Sequence, residues 1–279
     1  MGARPTFAPD QVARYLDRLG LPEAERRYSV AGLDAHDALD YLARLQTLHL
    51  AAVLFENLSL HYSAHGTVSV HPHQLSNKII GDGNGRGGYC MENNSLFGTL
   101  LASLGFAVYS GGGRVHEPAG WTGWLHLLNF VTIGDTKYHV DVGFGGDGPI
   151  VPMPLVRTGA VYEYRRNDQS AWDVKYCFTE LEFLPCDYVS MNYFSSTSPR
   201  TFFTTMVVAD KKIMGDDGEL VGKMSMAAAS LKWNVGGQKT KEIDFKSEAE
   251  RIEALQQYFG IRLNQAERDG IAGLPSEIK

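Results

Sequence analysis

Up to Gly105 the apolar positions recur at helical spacing. Val12, Tyr15, Leu16 and Leu19 lie three or four residues apart and are stopped by Gly20 and Pro22, and Leu39, Leu42, Leu45 and Leu48 repeat the theme, so this stretch predicts amphipathic helices. Beyond Gly105 the period shortens to two. Residues 124–133 and 138–144 alternate as half-buried strands do, and Gly134-Asp135-Thr136-Lys137 between them has hairpin-turn composition, with Gly134 expected to pair with Lys137. Strand-like runs follow at 161–164, 174–178 and 202–208, then at 220–228 and 242–245. Ser247-Glu248-Ala249-Glu250 reads as a capping box before a helix that puts Ile252, Leu255 and Phe259 on one face and stops at Gly260. The pattern predicts an α+β chain in three segments: helical at 1–104, β-rich at 105–208 and α/β at 209–279. No repeat and no Pro- or Ser-rich linker separates them, so the segments should pack on one another.

Composition removes whole classes of function. With 44% hydrophobic and 21% charged residues in 279, the chain is too apolar for disorder and too mixed for a fibre. Lys plus Arg is 26 against 32 for Asp plus Glu, a formal charge of −6, which argues against a nucleic-acid or anionic-membrane partner. The first twenty residues lack an apolar signal core, and Pro5 spoils the loose myristoylation pattern after Gly2. No uncharged stretch is apolar enough to span a bilayer. A cytoplasmic protein is expected. Cys90, Cys177 and Cys186 form no Cys-x-x-Cys pair, so neither a structural zinc site nor a dithiol centre is indicated.

One cysteine has a distinctive setting. From Gly81 to Gly88 the chain carries five glycines and Arg86, and Cys90 follows directly, ahead of Leu96, Leu100 and Leu104 at helical spacing. Cys90 is therefore expected at a helix N-terminus, where unpaired N–H groups and the helix dipole favour thiolate, the nucleophilic form. Arg86 would add positive charge or tie down the loop, and the glycines would let backbone approach a substrate. The competing reading is a small buried hydrophobe, the commoner fate of an isolated cysteine. Cys177 and Cys186 show no basic or helix-terminal context.

A thiolate nucleophile needs a base, and the base needs an orienting partner. His126 falls on the first strand of the expected hairpin and Asp141 on the second, and a two-residue turn puts even positions of one strand on the face of odd positions of the other. Those two side chains then share a face. Asp141 lies between Val140 and Val142, which suits a buried carboxylate holding an imidazole. A satisfied core histidine and a turn aspartate are the plain alternatives. His139, His71 and His73 are rival bases, the last two flanking Pro72 in a loop-like stretch.

Arg86-Gly87-Gly88-Tyr89-Cys90, then His126, then Asp141-Val142-Gly143-Phe144-Gly145 resembles the arylamine N-acetyltransferases in order and spacing. Phe55-Glu56-Asn57-Leu58, Thr122-Gly123, Asn192-Tyr193 and Ser196-Thr197-Ser198-Pro199 extend the similarity over about two thirds of the chain. The resemblance implies a three-segment fold: an N-terminal helical bundle carrying the nucleophile, a central β-barrel carrying His126 and Asp141, and a C-terminal α/β lid. It implies ping-pong acyl transfer, with acetyl-coenzyme A or another acyl-coenzyme A as co-substrate and an aromatic amine or hydrazine as acceptor. Cys90 would carry the acyl group, His126 would take the thiol proton and Asp141 would orient the imidazolium. Thr122 and Gly123 would contact the coenzyme and Phe144 would wall the amine pocket. The glycine-rich stretch at 143–148 would offer N–H groups to the pyrophosphate or would merely need positive φ.

No tightly bound cofactor or metal is expected, and the quaternary expectation is a monomer or weak homo-oligomer. The net charge of −6 gives a polyanionic coenzyme no long-range help. Met91 and Asn93 depart from relatives, Met91 in a way that would reshape the acyl pocket, and Met191-Asn192-Tyr193-Phe194 with the acidic helix after Ser247 resembles eukaryotic, fungal members. Some of these use malonyl donors, which would need a cation for the extra carboxylate. A cysteine hydrolase of protease or transglutaminase kind and a ligand-binding relative without activity are the alternative functions.

Overall fold

The helical periodicity is realised as α1 (Pro9–Arg18), α2 (Ala35–Ala52), α3 (Pro72–Leu75) and α4 (Cys90–Ser103) in a computed structural model that describes residues 4–81, 83–156 and 160–279. Asp34 caps α2 by accepting the Asp37 N–H at 2.9 Å. α1 buries only the stripe of Val12, Tyr15 and Leu16, whereas α4 is buried at every position from Cys90 to Leu101. A helix covered on all sides must be central. Leu96, Phe97, Leu100 and Leu101 of α4 join Leu42 and Leu45 of α2, and Val131 and Val140 of the neighbouring sheet, in one apolar cluster.

That sheet is built from β2 (Ala107–Glu117), β3 (Gly120–Ile133), β4 (Thr136–Val140), β5 (Met153–Pro154), β6 (Ala160–Tyr164) and β7 (Asp173–Phe183). Its order is β5-β4-β3-β2-β7-β6, every pairing antiparallel. It is a half-barrel and not the closed barrel expected from the resemblance, because among the described residues β5 and β6 remain unpaired edges. The β3–β4 hairpin turns one residue earlier than expected, with Ile133 opposite Thr136 and Thr132 opposite Lys137. The loop still has two residues, Gly134 at φ 57° and Asp135, so the even-to-odd sharing of faces is preserved. β2 has no alternating pattern in sequence because three consecutive glycines interrupt it. Two of them make room for aromatic rings: a Cβ at Gly111 would lie 2.6 Å from the Phe130 ring and one at Gly112 2.3 Å from the Phe183 ring.

Between this sheet and the next lies α5 (Pro185–Thr197), which the strand-like reading of that region missed. Its buried positions are Tyr188, Met191, Asn192, Ser195 and Ser196, a half-polar stripe that leaves little helical signal. Pro185 begins the helix and Asp187 accepts the Leu184 N–H at 2.7 Å. Cys186 therefore sits in an exposed first turn of a helix, correcting the expectation that it lacks helix-terminal context. The strand expected from Phe202 is also corrected: Phe202–Thr204 forms a 3₁₀ turn, and β8 begins at Val208.

β8 (Val208–Met214), β9 (Leu220–Ala227), β10 (Ser230–Val235) and β11 (Gln238–Asp244) form the second sheet, to which the short β1 (Phe55–Glu56) adds an edge. Half of the expected capping box before α6 (Glu248–Phe259) forms: Ser247 Oγ accepts the Glu250 N–H, while the Glu250 carboxylate accepts the Lys246 N–H instead of that of Ser247, and Gly260 ends the helix at φ 73°. Leu54, Leu58 and Tyr62 from the first segment share an apolar cluster with Leu231, Leu255 and Phe259. α7 (Gln265–Asp269) closes the order of elements. Among the described residues, no helix is long and apolar enough to cross a membrane.

If the glycines of β2 are there for the aromatic rings, Gly112→Ala should lower stability by about 1–3 kcal/mol, read as a fall in Tm. An unchanged Tm would mean that the Phe183 ring has free space to retreat into.

Candidate active site

Cys90 is the first residue of α4, and Glu92 caps the turn by accepting the Tyr89 N–H at 3.1 Å. The approach to it is held by charge. Arg86 donates from Nε to Glu56 Oε1 at 3.0 Å, from Nη2 to Ser59 Oγ at 3.0 Å and from Nη1 to Glu267 at 3.3 Å. Lys78 bridges Glu92 at 2.7 Å and Glu56 at 3.5 Å. Burial works against the Glu56 carboxylate, but Arg86 and Lys78 overcome it and hold its pKa down at about 2. Arg86 thus ties down the loop.

Gly85, Gly87 and Gly88 before Cys90 serve chain packing, which corrects their reading as room for substrate. A Cβ at Gly87 would lie 2.0 Å from the Leu54 carbonyl oxygen, and one at Gly88 2.5 Å from Glu92 Cβ. Gly88 N–H donates to Leu54 at 3.1 Å and the Gly88 carbonyl accepts from Glu56 N–H at 3.1 Å, so the loop is stitched against β1.

His126 on β3 and Asp141, just past β4, meet in the interior. His126 Nε2 lies 2.7 Å from Asp141 Oδ2, and both residues are buried. The other carboxylate oxygen accepts from Asn94 Nδ2 and from the Gly143 N–H, each at 2.8 Å. Tyr176 on β7 donates its hydroxyl to Oδ2 at 2.7 Å. With that proton committed, the Tyr176 oxygen accepts from His139 Nε2, 2.9 Å away. Burial disfavours a charged His126, yet the Asp141 carboxylate and the nearby Cys90 sulfur raise its pKa to about 10. Asp141 is buried too, and the His126 charge keeps it well below the ordinary carboxylate range. The site therefore favours imidazolium beside carboxylate at neutral pH. Nε2 is taken by Asp141, which leaves Nδ1 for the sulfur, while the Cys90 Sγ also approaches the Leu125 carbonyl at 3.6 Å.

Cys90 and His126 line one cavity of about 890 Å³, together with Thr122, Gly123 and Phe144. The Phe144 ring packs edge-on to His126 at 5.0 Å. Thr122 is engaged locally: its Oγ1 accepts the Val115 N–H and donates to the Gly123 carbonyl, both at 2.9 Å. Met91 is turned away from the cavity into the cluster with Leu127 and Met191, so it does not shape the acyl pocket as expected. Asn93 donates to the Leu54 and Gly88 carbonyls at 3.0 and 2.8 Å. His139 is buried behind Tyr176, its pKa lowered to about 4 by burial, and it does not line the cavity. His71 and His73 lie at the exposed start of α3.

Three functional candidates were not legible from the strand pattern: Asn94, Tyr176 and Asp147. Asn94 lies one turn beyond Cys90 on α4 and could have been found by that spacing. In the loop at 143–148, Gly143 is close to Cys90: its Cβ would lie 2.8 Å from Cys90 Cα and 2.6 Å from Asn94 Nδ2. Gly145 is the one of that loop with positive φ, at 68°. Asp147 on the cavity wall pairs with Lys175 at 2.8 Å and with Lys223.

The chain is similar to known proteins in sequence and in fold. A family model described as N-acetyltransferase matches residues 38–268. An N-malonyltransferase of Fusarium pseudograminearum is 32% identical, covering 96% of this chain and 93% of its own length. The arylamine N-acetyltransferase of Salmonella typhimurium shares the fold at a TM-score of 0.80 with 23% identity, over 95% of this chain and 98% of that one. A Mycobacterium marinum arylamine N-acetyltransferase, solved in complex with CoA, has a TM-score of 0.76 at 27% identity, over 94% and 99%.

Glu56→Gln leaves Arg86 and Lys78 short of a buried counter-charge and should cost about 3–5 kcal/mol in denaturant unfolding. Because the folded pKa of Glu56 is depressed, its contribution is present above the ordinary value of 4.5 and is lost as pH falls toward about 2. The variant should lack this acid-limb loss. A variant with wild-type stability and acid sensitivity would mean that Glu56 does not hold the loop.

Proposed function

We propose, from the premise that the chain belongs to the arylamine N-acetyltransferase family, that it is an acyl-coenzyme A-dependent N-acyltransferase acting through Cys90, with malonyl-coenzyme A as donor. The catalytic half of the reading is carried by one observation: Cys90 begins a buried helix on the wall of the cavity that His126 also lines, with His126 held by Asp141. The donor half is supported by the fungal N-malonyltransferase that matches nearly the whole chain, and it replaces the acetyl donor expected from sequence.

In the first half-reaction His126 holds the proton from Cys90 as an imidazolium, and the thiolate attacks the thioester carbonyl of the donor. The carbon–sulfur bond to coenzyme A breaks, and the departing thiolate takes a proton from His126. A thioester is exchanged for a thioester, so the acyl group stays activated. In the second, an aromatic amine attacks the Cys90 thioester, the sulfur leaves and His126 accepts the proton lost by nitrogen. Asp141 orients His126 throughout and stabilises its positive charge. Thr122 and Gly123 would contact the coenzyme through the rim of the β2–β3 hairpin, and Phe144 would wall the amine site; their places on the cavity lining support both roles. The apolar interior leaves water poorly placed to compete, which favours transfer over hydrolysis.

Intact-mass spectrometry after mixing with malonyl-coenzyme A should show one malonyl group on Cys90, more completely than acetyl from acetyl-coenzyme A, and none on Cys90→Ala. An aromatic amine should discharge it as the N-malonyl amide. Acylation that persists in Cys90→Ala, or release of coenzyme A independent of amine, would reject the transferase; acetyl loading alone would reject the donor.

Asp141→Asn should lower kcat/KM by roughly 10⁴-fold through loss of imidazole orientation. The drop should come with a shift in the pH profile, because the carboxylate supplies the largest part of what raises the His126 pKa from its ordinary 6.5 to about 10, the Cys90 sulfur a smaller part. Near wild-type rates with an unaltered profile would contradict that role.

A further inference from the structure

We propose that Arg200 is the specificity-determining cation of the cavity, pairing with the free carboxylate of a malonyl group carried to Cys90. The inference rests on the malonyl-donor reading above and deepens it. A malonyl donor differs from an acetyl donor by one carboxylate. Placing that charge against an aromatic and aliphatic wall is costly unless a cation meets it.

The charged side chains of the cavity lining are Glu117, Asp147, Arg200, Asp210 and Lys223, beside His126. Lys223 is engaged with Asp147. His126 is engaged with Asp141. Asp210 is half-buried and accepts the Gly146 N–H at 3.1 Å, and Glu117 is an exposed acid at the end of β2. Arg200 differs from the other two cations. Its backbone N–H donates to Ser198 Oγ at 3.3 Å and its guanidinium lies 5.9 Å from the Phe194 ring, with no carboxylate partner among the described residues. It is the cavity cation left available for an incoming acid.

Its position is built. Thr201 Oγ1 donates to the Ser195 carbonyl at 3.0 Å, and Thr204 Oγ1 to the Ser198 carbonyl at 2.8 Å, which fold the segment back on the end of α5. Three residues on, the Phe203 ring packs at 4.9 Å from the ring of Tyr89, the residue before Cys90. Tyr89 in turn bonds Asn192 of α5 through its hydroxyl. Arg200, an exposed side chain on the cavity lining, is thus mounted on a segment pinned to the residue before Cys90, and the acyl carboxylate is the anion assigned to it ahead of the coenzyme phosphates. A guanidinium suits that partner because its planar fork matches a carboxylate bidentately.

Arg200→Gln and Arg200→Lys, compared with wild type, separate these anions when malonyl and acetyl groups are supplied both on coenzyme A and on N-acetylcysteamine, a carrier without phosphate. The malonyl-to-acetyl ratio of kcat/KM should fall roughly 10- to 100-fold in Arg200→Gln on both carriers, with partial recovery in Arg200→Lys. A ratio unchanged in Arg200→Gln overturns the assignment. So does an equal loss of both acyl groups on coenzyme A that vanishes on N-acetylcysteamine, which would give Arg200 to the phosphates. Wild-type enzyme that loads acetyl and no malonyl overturns the donor reading first, and the assignment falls with it; wild type that loads malonyl while the variants behave alike overturns the assignment alone.

Discussion

The Asp141 carboxylate is buried between Val140 and Val142, where an isolated charge would be pushed toward its neutral form. Four donors prevent that: His126, Tyr176, Asn94 and the Gly143 N–H. Each comes from a different part of the chain, so satisfying one carboxylate brings together β3, β7, α4 and the loop after β4. Asn94 is the link to the nucleophile, one turn along the helix that Cys90 begins, and its Oδ1 also accepts the Val142 N–H at 3.0 Å. The same constraint explains Gly143, because any side chain there would strike Cys90 and Asn94. Packing and catalytic geometry share these contacts.

A second set of charges acts on the other side of Cys90. Glu56, Arg86, Lys78 and Glu92 neutralise one another beneath the loop that enters α4. Buried ion pairs of this kind add little net stability compared with apolar packing, but losing one partner leaves the others uncompensated. Their effect is on position. They hold the start of α4 at β1, while Asp141 holds its next turn at the sheet, and Cys90 is fixed between the two.

Much of this was readable in the chain because hairpin geometry is local. A two-residue turn sets the parity of the facing strands, so placing His126 and Asp141 on one face survived a turn one residue out of place. Features that depend on distant partners were not readable. Tyr176 and Asn94 matter because of where Asp141 ends up, and neither stands out in its own segment. β2 hides behind Gly111, Gly112 and Gly113, the first two of which lack side chains because of the Phe130 and Phe183 rings. α5 hides because it buries Asn192, Ser195 and Ser196 beside its apolar residues. Closure of the sheet depends on whether its two edges meet, which no strand pattern reports; among the described residues they stay unpaired.

The proposed chemistry rests on the charge state of one imidazole. A thiolate in an apolar cavity is tolerable when an imidazolium stands beside it, and the imidazolium persists because a carboxylate behind it cannot be protonated cheaply. Nitrogen NMR of the labelled His126 ring, followed as a function of pH in the folded protein, measures that state directly. The ring should stay doubly protonated through neutral pH and titrate near about 10; a His126 that loses its proton close to the ordinary histidine value would contradict the account.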